Sequence, residues 1–466
     1  MAADSIHGGS DDAHVDIRRF FSLCGLIAGL LACASSGNKR PSVQYSAAPS
    51  NSPTSPFVDG GTTADAGVLD GSSSVSGIVK SVNWRGGAAG RRVTVSGQSA
   101  TTGSDGRFTL TEVPSSYDVV IAEPDGATFS IYQALTRTDP VLSHKTTFNP
   151  SLDGTPYRAS ISGTLSGDFP FPVDSSHLAT VYYAAATAFS SWQLGQPLRS
   201  GGPAFEPMSV AWRGTSSITG ALIALGQIGT ATTPWTSAYL ATRPVSLSDG
   251  NAVEEALTLL PVGVGALAGS IKMYAGNGVY AVAASYHLPG APELIALGQF
   301  PGGGSFGLQL PDLQQLGGDY CVYFSDTAGY ASGRRCGGRL GMTDFSIQVQ
   351  QPPQMLKPPT GANATRNTLL SWSGVAGGVY MVDLNPDNPT AAQPRVQVYT
   401  SATSLAWPDF EELGIAFPAG ATYRCQVIAL MPYTSIDDFA SNHGLFATGV
   451  DLQMLKSVQV EVTLVQ

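Results

Sequence analysis

The chain reads as an all-β protein, several β-sandwiches in series after a disordered tether. Three observations lead there. From Val75 onward apolar residues recur with period two, the spacing that places alternate side chains on opposite faces of a strand. Glycine (54) and proline (31) punctuate those runs at short intervals, as turns between strands require. Helical periodicity is nearly absent; only Asn251 to Leu260 and Phe410 to Gly414 offer a helical turn or two. The 466 residues leave room for about three or four domains of ~100–150 residues. Charged residues make up 12%, about half the usual ~25%, and the net charge is −10. An acidic, weakly charged chain lacks the clustered positive charge that a nucleic-acid partner demands.

Residues 1–32 read as a signal peptide. The lead is polar and acidic up to Asp16, and Arg18-Arg19 then precede an apolar run from Phe20 to Ala32. Such a run reaches about 20 Å as a helix, short of a ~30 Å hydrocarbon core. It ends in Leu30-Leu31-Ala32-Cys33-Ala34-Ser35, which resembles the lipobox of bacterial lipoproteins. Arg18-Arg19-Phe20-Phe21 also bears a faint similarity to a twin-arginine signal, and the translation start is expected nearer Arg18. The lipobox resemblance implies that Cys33 is acylated and becomes the first residue of the mature chain. Its partner is then the lipid bilayer. Ala34 in place of Asp implies outer-membrane sorting, facing either the periplasm or the outside.

Residues 33–74 are expected to form a lipidated, disordered tether. Ser, Pro, Thr, Gly and Asp dominate it, and its isolated apolar residues cannot offset the entropy of ordering. About 40 such residues reach roughly 35 Å as a coil.

Residues 75–155 begin with Ser76-Gly77-Ile78-Val79. The strand Val93-Thr94-Val95 follows, then the turn Thr102-Gly103-Ser104-Asp105-Gly106-Arg107-Phe108, then Tyr117-Asp118-Val119. Together these resemble the carboxypeptidase regulatory-like domain, a small transthyretin-like β-sandwich without catalytic function. Two further sandwiches are expected at 156–262 and 263–351. They share the run Leu-Ile-Ala-Leu-Gly-Gln at 222–227 and 294–299, and Val210-Ala211 recurs as Val282-Ala283 at the same shift of 72. This aligns 210–227 with 282–299 without a gap, and leaves an insertion of roughly 30 residues near Phe189 to Phe205 in the first copy. Each copy opens on a Gly-bearing strand, Ile161 to Leu165 and Leu267 to Ile271. A third echo links Gly106-Arg107-Phe108-Thr109-Leu110 with Gly304-Ser305-Phe306-Gly307-Leu308. The fold class is thus a series of Ig/transthyretin-like sandwiches.

A proline-rich spacer at 347–361 leads into 352–466. There, Leu369-Leu370-Ser371-Trp372, Val379 to Leu384 and the Phe417 to Val427 segment resemble a fibronectin type III domain. By that resemblance Trp372 is the core tryptophan and Tyr423 the corner tyrosine. Units in series behind a tether imply a rod with 353–466 at its far end, making protein or glycan contact through loops.

The candidate chemistry is sparse. Gly303-Gly304-Ser305-Phe306-Gly307 fits Gly-x-Ser-x-Gly, which makes Ser305 the remote candidate for a serine hydrolase, but a strand-like run and Pro311 follow where a nucleophile elbow needs a helix. Gly263 to Gly269 lacks dinucleotide spacing. Asp383, Asn385, Asp387 and Asn388 have oxygen-ligand spacing without the sixth-position glycine, so a loop is the first reading and a weak calcium site the second. The histidines are scattered and read as surface or turn residues. The neighbouring carboxylates Glu254-Glu255, Glu411-Glu412 and Asp437-Asp438 would point apart on strands. Cys321 and Cys336 are expected to form a disulfide, and Cys425 to be a buried free thiol. No cofactor, metal or catalytic residue is assigned. The expected function is non-enzymatic: a structural, adhesive or scaffold lipoprotein of the cell envelope. The alternative is a carbohydrate- or ligand-binding surface lipoprotein using Trp192, Trp212 and Trp235.

Overall fold

The computed structural model describes residues 73–465 except 83–85, 147–149, 175, 186–195, 198–201, 229–235, 290–293, 366–367, 407–414, 416, 442–443 and 447–450. The signal segment, Cys33 and the tether lie outside the described residues.

The first unit holds β1 (Ser73–Ser81), β2 (Arg92–Val95), β3 (Gln98–Thr101), β4 (Arg107–Val113), β5 (Tyr117–Ala122), β6 (Thr128–Leu135) and β7 (Val141–His144). Burial alternates along β1, with Val75, Gly77, Val79 and Ser81 inward, as period two requires. The turn before β4 is fixed by Asp105, whose Oδ1 accepts the Arg107 N–H, and by Gly106. That glycine has φ +80°, and a Cβ on it would lie 2.4 Å from the Val79 carbonyl oxygen, so no other residue fits. The strands form two sheets, β4-β1-β7 and β6-β5-β2-β3. β1 runs antiparallel to β4 and parallel to β7.

After the short helix α1 (Pro150–Asp153) the second unit holds β8 (Tyr157–Gly167), β9 (His177–Ala184), β10 (Gln196–Pro197), β11 (Ala204–Trp212), β12 (Ser217–Ile228), β13 (Ser237–Ser248) and β14 (Ala252–Val262). The third holds β15 (Val264–Lys272), β16 (Val279–His287), β17 (Leu294–Pro301), β18 (Ser305–Pro311), β19 (Asp319–Asp326), β20 (Ala331–Gly338) and β21 (Phe345–Gln348). Each repeats the plan of the first. The opening strand pairs antiparallel with the fourth and parallel with the seventh. The second strand lies between the third and fifth, with the sixth beside the fifth.

This plan corrects two sequence expectations. Asn251 to Leu260 is strand, not helix: β14 pairs in parallel with β8 from Ala252↔Ser160 to Leu259↔Gly167, and inter-strand pairing overrides local propensity. The gapless 72-residue alignment also fails. Leu222–Gln227 lies on β12, the fifth strand of its unit, whereas Leu294–Gln299 lies on β17, the third. The two copies flank the second strand of their units from opposite sides. The equivalent stretches are those of the third echo, since β4 and β18 are both fourth strands.

The C-terminal unit has one sheet of β22 (Met355–Lys357), β24 (Leu369–Trp372) and β27 (Ser404–Ala406). It packs on β25 (Val379–Asn385), β26 (Arg395–Thr400), β28 (Thr422–Met431), β29 (Leu452–Lys456) and β30 (Val460–Leu464), with β23 (Ala362–Ala364) parallel to β30. Trp372 and Tyr380 meet edge to face, with centroids 5.6 Å apart, in its core. A second short helix, α2 (Ile436–Phe439), is capped by Ser435, which accepts the Asp438 N–H.

The units do not stand in a line with the last one distal. β26 pairs in parallel with β6 of the first unit, from Arg395↔Thr128 to Tyr399↔Tyr132. β29 pairs antiparallel with β20 of the third, from Ala331↔Leu455 to Arg334↔Leu452. One fourteen-stranded sheet therefore runs from β17, through the C-terminal unit, to β3. The cause lies in the edges. β6 carries no charge and no proline, so its open side accepts another strand. Its counterpart β13 is taken on that side by β14 of its own unit, from Ala238↔Val262 to Leu240↔Leu260, and presents exposed Arg243 and Pro244 beyond that stretch, residues that discourage further pairing.

Candidate functional site at the unit junctions

The structure gathers its polar chemistry where the units meet. In the first unit Arg91 is fully buried just before β2. Its Nε lies 3.1 Å from Glu123 Oε1, and its Nη1 donates to Asp153 on α1. Burial opposes the Arg91 charge, but the bonds to Asp153 and Glu123 outweigh it and hold the guanidinium above its usual range. His144, the last residue of β7, is also fully buried. Its Nε2 is 3.2 Å from Glu123 Oε1, and its Nδ1 is 2.8 Å from Ser130 Oγ on β6. Burial pushes the imidazole below its ordinary value, against the pull of Glu123. Arg213, next after β11 of the second unit, feels the charges of Asp153 and Arg91. The network thus spans both units and the helix between them.

The junction of β6 with β26 is built from rings and one carboxylate. Tyr132 and Tyr399 stack with centroids 4.5 Å apart, and Phe439 of α2 lies against both. Asp437 on α2 accepts the backbone N–H groups of Thr136 (2.9 Å) and Arg137 (3.2 Å), as well as the Thr136 hydroxyl. Arg395 on β26 makes a two-pronged bond to Asp383 on β25, at 2.9 and 2.6 Å.

At the third junction, Tyr274 and Asn277 donate to Asp326 Oδ2, each at 2.7 Å, tying the loop after β15 to the end of β19. Lys456 on β29 lies within electrostatic reach of Asp326, and burial lowers its pKa.

These positions revise several sequence expectations. Asp383 is an ion-pair partner on a strand, and Asp387 pairs with Arg424, so two of the four candidate calcium oxygens are committed to arginines. His144 is buried rather than at the surface; His177 and His287 are half-buried and face Asp174 and Asp319; His443 lies outside the described residues. Asp437 and Asp438 sit on a helix, not a strand. Glu255 on β14 pairs with Arg243 at 3.1 Å; Glu411 and Glu412 lie outside the described residues. Ser305 is exposed at the start of β18 and pairs across to Ser270; a strand follows it, not the helix of a nucleophile elbow. Trp212, one of the three glycan-contact candidates, is fully buried and donates its indole N–H to the Thr215 carbonyl. Trp192 and Trp235 lie outside the described residues.

Cys321 and Cys336 form a disulfide between β19 and β20. Cys425 is buried on β28 with its thiol free, its pKa pushed up to about 12 by burial and by the nearby Asp383 charge. Among the described residues no three His, Cys, Asp or Glu side chains converge as metal ligands would. None of their helices is long and apolar enough to cross a membrane. The sequence reading missed Arg91, Glu123, Asp153 and Asp437. A signal existed for the first: Arg91 sits beside Val93 and Val95 of an inward-facing alternation, where an arginine needs buried partners.

No family model matches the chain, and no curated protein matches it. Among solved structures it is similar to the Bacillus anthracis TIE protein at 14% identity, covering 60% of this chain and 50% of that one, with a TM-score of 0.14. The chain thus spans half the length of that protein. It is similar to a Streptococcal ancillary pilin at 10% identity, covering 60% of this chain and 100% of that one, with a TM-score of 0.15. The shaft pilin SpaA from Lactobacillus rhamnosus GG matches at 10% identity, covering 42% of this chain and 97% of that one, with a TM-score of 0.14. Scores this low carry no argument about function; the all-β architecture rests on the strands themselves.

Proposed function

We propose that this protein is a non-catalytic lipoprotein of the cell envelope with a structural or adhesive role. Acylated Cys33 would anchor it to the outer membrane, and residues 34–74 would tether the folded part. The first unit is assigned as a carboxypeptidase regulatory-like sandwich and the last as a fibronectin type III-like one. The observation that carries the reading is the continuous fourteen-stranded sheet. Its charged side chains are spent on structure: Arg91, Glu123 and Asp153 on one another in the first unit and the helix after it, Asp383 and Arg395 on each other in the C-terminal unit, and Asp437 on the β6–β26 seam, which favours rigidity over chemistry. Two acyl chains give firm anchoring, each buried CH₂ adding ~0.8 kcal/mol.

The experiment compares cells making the natural chain with cells making Cys33→Ala. Palmitate labelling and membrane retention should vanish together in the variant, along with attachment of those cells to surfaces. Equal labelling of the variant would end the lipoprotein reading. Fluorophosphonate labelling that disappears in Ser305→Ala would end the non-catalytic one.

A further inference from the structure

We infer that Asn277 is a self-modification site: its side-chain amide is lost to attack by the Gly278 backbone nitrogen, which leaves aspartate or isoaspartate at 277.

Asn277 is the only asparagine of the chain that is followed by glycine. The pairing matters because the nucleophile is the backbone nitrogen of the next residue. A glycine there leaves that nitrogen uncrowded and its backbone free to turn. Both residues lie in the connection from β15 to β16, outside either strand. Gly278 is exposed and Asn277 half-buried, so water reaches the site.

The surrounding groups present the amide to that nitrogen. The Gly278 N–H donates to Asn277 Oδ1 at 3.0 Å, so the nucleophile already sits beside the carbonyl it must attack. Thr327, just past β19, donates its hydroxyl to the same oxygen at 2.5 Å. That bond polarises the carbonyl and meets the negative charge that gathers on Oδ1 as the new bond forms. On the other side Asn277 Nδ2 donates to Asp326 Oδ2 at 2.7 Å, which fixes the plane of the amide. The Asn277 backbone N–H makes only a long bond, 3.3 Å, to the Tyr274 carbonyl. Turning the nitrogen into line therefore breaks no strand ladder.

The reaction balances with water alone. The Gly278 nitrogen gives its proton to solvent hydroxide and bonds to Asn277 Cγ. The Cγ–Nδ2 bond breaks, and the side-chain nitrogen leaves as ammonia with a proton from water. The five-membered imide then takes up one water. Opening at the side-chain carbonyl gives aspartate, and opening at the backbone carbonyl gives isoaspartate.

Either product changes what this loop can hold. A carboxylate at 277 has no N–H to donate to Asp326, which is buried and would face a second negative charge. Tyr274 remains as the loop's side-chain bond to Asp326. The loosened end of β19 lies next to the place where β20 begins its seam with β29, at Ala331↔Leu455.

The experiment holds the purified protein at mildly alkaline pH and follows the peptide carrying residue 277 by mass and by isoaspartate-specific methylation. Steady conversion at 277 in the folded chain is expected. In Gly278→Ala the added Cβ would meet only Thr327 Cγ2, at 3.8 Å, so the fold is kept while the attacking nitrogen is crowded. Conversion should slow by about tenfold. Thr327→Val, which removes the hydroxyl and keeps the shape, should slow it as well. Unchanged melting and an intact Cys321–Cys336 bond would show that both variants are folded. In Asn277→Asp, the Thr327 amide, which donates to the Gly278 carbonyl at 3.0 Å, should lose protection from hydrogen exchange. An unmodified folded protein, where the urea-unfolded chain converts, would overturn the inference. Equal rates in the natural chain and both slowed variants would overturn it too.

Discussion

Gly77 lies directly opposite Phe108 across the β1–β4 pair, and the same relationship recurs twice. Gly163 faces Phe205 across β8–β11, and Gly269 faces Phe306 across β15–β18. In each unit the opening strand carries the glycine and the fourth strand the ring, so the ring covers bare backbone. A Cβ on Gly77 would lie 2.6 Å from Phe108 Cζ and 2.7 Å from the Pro140 carbonyl oxygen. On Gly269 it would lie 1.7 Å from the Phe345 carbonyl oxygen, and on Gly163 1.8 Å from that of Glu255. Rings can shift and paired backbone cannot. Gly77→Ala is therefore expected to cost about 1–3 kcal/mol, the usual range for overpacking, with Gly269→Ala and Gly163→Ala at its upper end or beyond. Urea unfolding of the three variants measures the order; a Gly77→Ala loss larger than the other two would contradict it.

Those glycines also mark how far the sequence could be read. Period-two alternation located most strands, because one face of each sheet is buried and the pattern must obey it. The Gly-bearing opening strands were legible for the same local reason. The repeat alignment was not. Leu222–Gln227 and Leu294–Gln299 are both good strand sequences that fit beside the same second strand, and identity alone does not say on which side. Nor was the seam between β6 and β26 legible, since it joins Thr128 with Arg395 and leaves no local pattern. Asp437 read as one of two neighbouring carboxylates pointing apart on a strand, because its partners, Thr136 and Arg137, lie three hundred residues earlier.

His144 should make stability pH-dependent below neutrality. Burial holds its folded pKa below the ordinary 6.5. In the interval between the two values the unfolded chain binds a proton that the folded chain does not. The stabilisation is thus complete above about pH 6.5 and falls as the pH drops toward the folded value. Melting temperatures measured from pH 7.5 to 5 should decline, and His144→Gln should flatten part of that decline. An unchanged pH slope in the variant would show that other groups carry it.

The disulfide closes a loop with a sequence separation of 15, so losing it should cost about 3 kcal/mol by the chain-entropy account. The pair Cys321→Ala/Cys336→Ala should unfold at lower urea, with the third unit affected first. Cys425 behaves in the opposite way. It is buried with its pKa near 12, so at pH 8 almost none of it is thiolate and none is accessible. Iodoacetamide should modify it only after denaturation; native modification would mean that β28 opens far more often than its full pairing with β25 allows.

Asp437 is the most economical place to separate the first unit from the last. Its carboxylate satisfies two backbone N–H groups at the end of β6 and the Thr136 hydroxyl, all from a helix on the other unit. Hydrogen bonds to a charged acceptor contribute about 1.5–3 kcal/mol net, and removing the acceptor leaves those donors to find water. Asp437→Ala should therefore weaken the seam without disturbing the sandwiches, whose cores it does not enter. Hydrogen exchange gives the discriminating measurement. Amides of β6 and β26 should exchange faster in the variant, while those of β15 and β18, in a sheet of the third unit, keep their protection. The Tyr132–Tyr399–Phe439 stack remains in place, so the seam should open more often rather than come apart. Equal loss of protection in β15 and β18 would mean that the first, third and C-terminal units open as one cooperative body, and that Asp437 supports all of it rather than one seam.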